Sequence, residues 1–376
     1  MPEEKNTHKE YIVTPWEVSG EIDYKKLICD FGTEPLTEEL LARIKKHTGE
    51  LHFLLRRKIF YSHRALNWIL DEYEKDNKFF LYTGRGPSGE VHIGHLIPWI
   101  LCKHLQDKFD VNLYFQLTDD EKFYFKEELT LEDTKKFAYS NALDVIALGF
   151  DERKTKLFLD TEYIKTLYPL AARIAKKITF STVRATFGFT NENNLGEIFY
   201  TSLQGAPCLL ENRPCLIPLG IDQDPHFRLF RDVAPKIGVY KPALIHNKMF
   251  PSLVGKDKMS SSSPEAAIYT TDSAETIKRK IMNAFTGGRA TVEEQRKLGG
   301  VPEICNVFAY EFFMFMTTDN ELKELELQCR TGNLLCGECK LILFDRVIKF
   351  IEEHRKRRIE AEKKIDKFML RDCEPA

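Results

Sequence analysis

Two apolar runs, residues 79–83 and 111–118, bracket a glycine-rich loop and a stretch of helical periodicity, and no other feature of the chain limits its fold as strongly. Between His92 and about Phe109 the residues Ile93, Leu96, Ile97, Ile100, Leu101 and Leu105 recur on one face, which predicts a helix. Strand, helical crossover, strand is the unit of a parallel sheet, because parallel neighbours cannot be joined by a tight turn. Open sheets of this kind bind ligands beyond the carboxyl ends of their strands. Tyr82, residues 84–90 and residues 118–121 fall at such ends.

The rest of the chain divides around that unit. Its 376 residues suit two or three domains at roughly 100–200 residues each. Residues 1–77 read as a polar, helix-rich N-terminal extension that covers the next domain. Within it Thr37 is placed to cap a helix, with Glu38 and Glu39 in the first turn, Lys45, Lys46 and His47 in the last, and Gly49 beyond. Ser62 is read as the cap of a second helix, with Leu66, Ile69, Leu70 and Tyr73 on one face. Residues 78–270 are expected to form an α/β domain with a Rossmann-like parallel sheet. A mainly helical insertion occupies about 130–200, with strand character near 156–160, and another strand falls at 214–220. Residues 271–376 read as helical, with Thr291 and Glu294 spaced as a capping box and Gly299 and Gly300 stopping that helix.

Composition excludes several classes. A hydrophobic content of 43% and a charged content of 30% are those of an ordinary globular protein. No apolar run approaches the roughly 18 residues needed to cross a bilayer. The first residues are polar, so no secretory signal is expected, and nine scattered cysteines, an odd number, suit reduced thiols in a cytoplasmic setting. A net charge of −2 names no partner, and no DNA-binding role is expected; a nucleic-acid surface has to come from local clustering. One such cluster is 346–358, with six Lys or Arg against two Glu, read either as a solvated helix face or as a contact for RNA phosphates. Cys336 and Cys339 form a pair for which no second pair follows at suitable spacing, so free thiols and no metal site are expected there.

Gly84, Gly86 and Gly89 match G-x-G-x-x-G between a strand and a helix. Alone this equally suits a dinucleotide site, with Asp119 or Asp120 as the ribose-binding acid. Pro87 stiffens the turn, however, and His92 and His95 share one face at the helix start with Gly94 between them. Their ring nitrogens add to the free backbone N–H groups of a helix N-terminus, which favours an anion. Gly94 leaves room for a flat base. Far downstream, Lys256, Lys258 and the serines 260–263 form a Gly/Ser loop. Such a loop can bring an ammonium to charge that builds on a leaving pyrophosphate.

His92-Ile-Gly-His95 together with Lys258-Met-Ser-Ser-Ser262 resembles the two nucleotide motifs of class I aminoacyl-tRNA synthetases. Within that class the chain is similar to the eukaryotic-type tryptophanyl-tRNA synthetases from about Thr14 to Met369. The most specific pieces are residues 82–87, 118–122, 188–190, 221–225 and 231–235. It departs from the general class at Ser262, where a second lysine is common, and residues 88–91 are one residue shorter than the family pattern, so no roles are carried onto them. The resemblance implies ATP, with Mg²⁺, bound by Arg85, Gly86, His92, Gly94, His95, Lys122, Lys258 and Ser260, the catalytic groups being Lys258, His92 and His95. It implies L-tryptophan bound by Tyr82, Gln116, Glu121, Gln204 and Gln223. An indole N–H is only a donor, so its pocket needs acceptors, which Tyr82 and Gln223 can offer; Glu121, Gln116 and Gln204 suit an ammonium. It further implies tRNA as acceptor, a helical anticodon-binding domain at 271–376 whose last residues pack back on the catalytic domain, and a homodimer. The neighbouring expectation is a tyrosyl-tRNA synthetase, which needs a carboxylate for the phenol, with Asp222 or Asp224 to hand. Beyond it lies a non-catalytic RNA-binding or signalling protein on the same fold, and more distantly a dehydrogenase.

Overall fold

Strands that are apolar on both faces demand cover on both, and the central sheet meets that demand. The computed structural model describes residues 12–13, 18–19, 22–255, 259 and 264–372. Among them run nine strands: β1 (Ile12–Val13), β2 (Val18–Ser19), β3 (Glu34–Pro35), β4 (Phe60–Arg64), β5 (Phe80–Arg85), β6 (Leu113–Leu117), β7 (Thr155–Leu159), β8 (Cys215–Gly220) and β9 (Ala243–Asn247). β1 and β2 form a small antiparallel ribbon; the others form one sheet in the order β3-β4-β9-β8-β5-β6-β7. From β9 to β7 every pairing is parallel.

The two runs of the opening pattern are therefore neighbours, joined by the helix Leu96–Phe109, which begins as a 3-10 turn at Ile93–His95. Leu96, Ile97, Leu101 and Leu105 press on one face of the sheet with Leu81 and Leu113. Phe80 and Tyr82 face the other way, onto Phe227 and Phe230 of the helix Asp224–Val233. From β5 the chain first builds outward to β6 and β7, then returns to β8 and β9 on the opposite side. That reversal opens a crevice between the carboxyl ends of β5 and β8.

Three expectations change. Ser62 caps no helix: it lies inside β4, which pairs antiparallel with β9, and its hydroxyl meets His246 Nδ1 at 3.0 Å. The helix Leu66–Tyr73 does form, and its first N–H is satisfied by the His63 ring instead (3.3 Å). Residues before 78 extend the sheet as well as covering it, since β3 and β4 add two antiparallel strands at its edge. The strand character near 156–160 is β7, an outer member of the main sheet, so the helices that stand apart from the parallel crossovers begin after it, at Ile164–Ala175, Phe180–Phe187 and Leu195–Gly205. The Thr37 cap forms as read, accepting from the Leu40 N–H (3.3 Å).

The C-terminal part is helical, dominated by the long helix Cys336–Glu362, with a short helix, Ile365–Phe368, after it. Half of the basic run on the long helix is turned inward. Arg346 pairs with buried Glu311 (3.0 Å), Arg358 and His354 meet buried Asp144 (3.3 and 2.9 Å), and Arg355 bonds the Thr270 carbonyl (3.1 Å). Only Lys349, Lys356 and Arg357 of its basic residues are exposed. Beyond the helix, Met369 bridges to Leu157 of β7, and the Leu370 N–H donates to the Leu157 carbonyl (2.7 Å). Among the described residues no helix is long and apolar enough to cross a membrane.

Candidate active site

β5 ends in Tyr82, Thr83, Gly84 and Arg85, and these residues form the floor of a cavity of about 340 Å³ in the crevice. Tyr82 is fully buried except toward this space. Its hydroxyl sits against Gln116 Oε1, the Gln204 carbonyl (2.9 Å) and Gln204 Nε2 (3.2 Å). The Gln116 amide nitrogen donates in turn to both Asp160 oxygens (2.8 and 3.0 Å), and the Tyr200 hydroxyl donates to Gln204 Oε1. This hydrogen-bonded chain orients both amides. Tyr82 gives its one proton within the chain and accepts from Gln204 Nε2, which leaves one lone pair for a donor in the cavity.

Gln116 does not line the cavity; it stands behind Tyr82. Asp160, at the carboxyl end of β7, fixes it from below and belongs to a buried acidic group with Asp119 and Asp120. Burial, with the neighbouring carboxylates adding to it, pushes both Asp120 and Asp160 up. Asp119 is anchored separately by the Thr161 N–H (3.2 Å).

The helix Asp119–Phe125 carries Glu121 and Lys122 to the cavity wall. Burial works against the Glu121 charge, but Lys122 (2.7 Å) and the Thr118 hydroxyl (2.8 Å) outweigh it and hold its pKa below the usual value. A side chain at Gly86 would overlap both Lys122 and Glu121, and one at Gly84 would stand 2.7 Å from the Gln116 carbonyl. These two glycines let the strand end pass close under the cavity. Burial pushes Arg85 down to about 10, which leaves it charged at neutral pH. Its guanidinium bonds Asn141 and the Glu90 carbonyl (3.1 Å), bracing the loop after β5.

The opposite wall is the start of the crossover helix. His92 and His95 stack with centroids 3.4 Å apart, and the His92 N–H donates to His95 Nδ1 (3.2 Å). Gly94 lies between them; a Cβ there would stand 3.1 Å from Phe250 Cβ and 3.2 Å from the His92 ring. Met259 borders the same cavity, while its neighbours in the chain, Lys258 and Ser260, lie outside the described residues. Gln223 and Asp222 reach the cavity from the turn after β8. Asp224 does not reach it. The Asp224 carboxylate forms a bidentate pair with Arg64 (2.7 and 2.8 Å) and meets His246 (3.1 Å). Burial opposes its charge, but those two partners hold it down at about 2.

Tyr82, Glu121, Gln204 and Gln223 are thus brought together with Arg85, Gly86, His92, Gly94, His95 and Lys122. The sequence reading missed Tyr200, Asp160 and Phe227. Asp160 carried a usable signal, an acid closing an apolar strand; Tyr200 and Phe227 are helical residues indistinguishable from core until the helices are placed. Among the described residues no three His, Cys, Asp or Glu stand at the spacing of a single metal ion.

The family described as tRNA synthetases class I (W and Y) matches residues 74–352. The tryptophan–tRNA ligase of Pyrobaculum aerophilum is 52% identical over 368 residues, covering 96% of this chain and 98% of that protein. That of Saccharolobus solfataricus is 54% identical over 361 residues, covering 96% and 95%. Among solved structures, the tryptophanyl-tRNA synthetase of Plasmodium falciparum superimposes with a TM-score of 0.87 at 39% identity, covering 92% of this chain and 97% of that one. The enzyme from Encephalitozoon cuniculi, bound to tryptophan, gives 0.86 at 34% identity, covering 93% and 98%.

Proposed function

The chain belongs to the class I tRNA synthetases of the tryptophan and tyrosine group, on the tryptophan–tRNA ligase side, and from that premise we propose how its cavity works. L-Tryptophan lies over the end of β5, with its indole N–H on the free lone pair of Tyr82 and its ammonium toward Glu121 and Gln204. Gln223 closes the pocket from the β8 side. The observation that carries this reading is the chain Tyr200–Gln204–Tyr82–Gln116–Asp160, which presents an acceptor at the cavity floor and holds it there. Phenylalanine offers no donor, so binding it leaves that buried acceptor unpaired at a cost of about 1–3 kcal/mol. The tyrosine alternative needs a carboxylate for the phenol: Asp224 is already committed to Arg64 and His246, while Asp222 borders the cavity and accepts from Gln223 Nε2 (3.3 Å), so tyrosine-driven activation is the result that would favour it.

ATP lies along the His92–His95 turn, with the adenine over Gly94 and the phosphates toward the loop that carries Lys258 and Ser260. Mg²⁺, carried by the triphosphate, would neutralise part of its charge; no side chain among the described residues is assigned to hold it. The tryptophan carboxylate attacks the α-phosphate in line, the bond to the β-phosphate oxygen breaks, and tryptophanyl-adenylate and pyrophosphate result. A carboxylate is already a nucleophile, so no general base is required, and positioning with charge stabilisation carries the rate. A terminal ribose hydroxyl of the tRNA then attacks the acyl carbon and releases AMP. The helical region 271–376 is read as the anticodon-binding part, and a homodimer in the cytoplasm as the working form. Incubation with ATP, labelled tryptophan and tRNA tests this. Acid-precipitable label that depends on both ATP and tRNA(Trp) is the expected result; label transferred equally from phenylalanine would contradict the pocket.

A further inference from the structure

Two amides, Gln204 and Gln116, flank the Tyr82 hydroxyl, and each has a second buried partner that decides which way it points. For Gln204 that partner is the Tyr200 hydroxyl, which donates to Oε1 and so turns Nε2 toward Tyr82. For Gln116 it is Asp160, whose two carboxyl oxygens accept from Nε2 at 2.8 and 3.0 Å and so turn Oε1 toward Tyr82. We propose that Asp160 determines specificity: by fixing the direction of the Gln116 amide from behind, it keeps one lone pair of Tyr82 free, and that lone pair selects a side chain bearing a ring N–H. This rests on the placing of the indole N–H at Tyr82.

The distinction lies in the count of lone pairs. A phenol oxygen carries one proton and accepts twice. The Tyr82 proton has two acceptors inside the protein, Gln116 Oε1 and the Gln204 carbonyl (2.9 Å). One lone pair takes Gln204 Nε2 (3.2 Å), and the second is open to the cavity. A half-turn of the Gln116 amide would put Nε2 against Tyr82 instead. The proton would still have the Gln204 carbonyl, but the second lone pair would be consumed, and an indole N–H would meet no acceptor. The oxygen and nitrogen of an amide are nearly alike in shape, so packing does not choose between the two orientations; the partner behind Gln116 does.

An acid is suited to that choice. Ionised, it only accepts; protonated, its carbonyl oxygen still accepts. The Asp120 carboxyl lies against Asp160, so a proton held by Asp160 has an acceptor of its own and need not be offered to Gln116. Asp160 is also fixed in place. It is fully buried directly after β7, and its N–H donates to the Leu117 carbonyl of β6 (3.3 Å), while the next residue, Thr161, holds Asp119 through its N–H (3.2 Å). It does not border the cavity, so it is a positioning residue and touches no substrate.

The test compares tryptophan with 3-benzothienylalanine, which carries sulfur where the indole has its N–H, in ATP–pyrophosphate exchange. The parent is expected to prefer tryptophan in kcat/KM. Asp160→Leu, of similar shape but with no acceptor, should lower that preference by about 10–100-fold, chiefly through KM for tryptophan, with the analogue little affected. Asp160→Asn should restore the preference to within about threefold of the parent, because its carbonyl can face Gln116 while its NH₂ turns to Asp120. A Leu variant that keeps the parent's preference overturns the inference, even where both amino acids are used less well, since a purely structural loss gives that result. A parent that uses both amino acids alike contradicts the placing of the indole itself, and the inference falls with it. Should Asp160→Leu fail to fold, neutron diffraction from crystals of the parent with tryptophan decides. Amide deuterons of Gln116 facing Asp160 are expected; deuterons facing Tyr82 would overturn the inference.

Discussion

The catalytic cavity and a small pocket in the C-terminal helical region, lined by Cys305, Cys329, Cys336 and Cys339, are built in opposite ways. The cavity's floor and one wall come from one short stretch of chain, the end of β5, its loop and the start of the crossover helix; the ends of β6 and β8, set beside it by parallel pairing, and the residues Tyr200, Gln204, Phe227 and Phe250 complete it. The cysteine pocket draws on three segments spread over residues 305–339, each contributing at a helix end. The cavity is open, lined by polar and apolar side chains alike, and leaves an acceptor unfilled for a substrate. The pocket is apolar and crowded with thiols. The first is arranged to take molecules that come and go, and the second is packed as part of the helical core. The two are therefore expected to fail separately, one in chemistry and the other in stability.

The largest effect tests the cavity side. Replacing Lys258 with alanine should slow tryptophan-dependent adenylate formation by about 10²–10³-fold in single-turnover measurements. Tryptophan affinity, followed by fluorescence or calorimetry, should hardly move. An unchanged rate would remove the loop from the mechanism. Next, Tyr82→Phe should raise KM for tryptophan by about 10–100-fold and weaken rejection of phenylalanine together with it. A rise in KM with undiminished discrimination would mean that the indole N–H is met elsewhere, with Gln223 the first place to look. The smallest effect sharpens the contrast. The double variant Cys336→Ser with Cys339→Ser should lower Tm yet leave amino-acid activation within about twofold. A loss of activation as large as that of the Lys258 variant, in folded protein, would show that the two regions are coupled.

The same contrast explains what could be read from the sequence. The strand, glycine loop and His-x-Gly-His turn are local, so spacing alone exposed them, and the Thr37 cap was legible for the same reason. Ser62 misled because a serine ahead of an apolar stripe suits a cap and a strand equally; only the pairing of β4 with β9 decides, and that partner lies 184 residues away. Gln116 could be placed beside the tryptophan pocket, but its true neighbour on the far side, Asp160, depends on β7 joining the sheet. The basic run 346–358 looked like a surface, and half of it is spent on Glu311, Asp144 and the Thr270 carbonyl, contacts between elements far apart in the chain. The cysteines were the least legible. Their convergence is a property of the fold, which no spacing of two residues displays.

The central claim is that this cavity activates tryptophan. The most direct measurement is ATP–pyrophosphate exchange with each of the twenty amino acids and no tRNA. Exchange that depends on tryptophan, with the other nineteen near background, is the predicted result. Exchange driven by tyrosine would keep the fold and the chemistry but contradict the acceptor assigned to Tyr82. A folded chain that supports no exchange with any amino acid would contradict the account of the site as a whole.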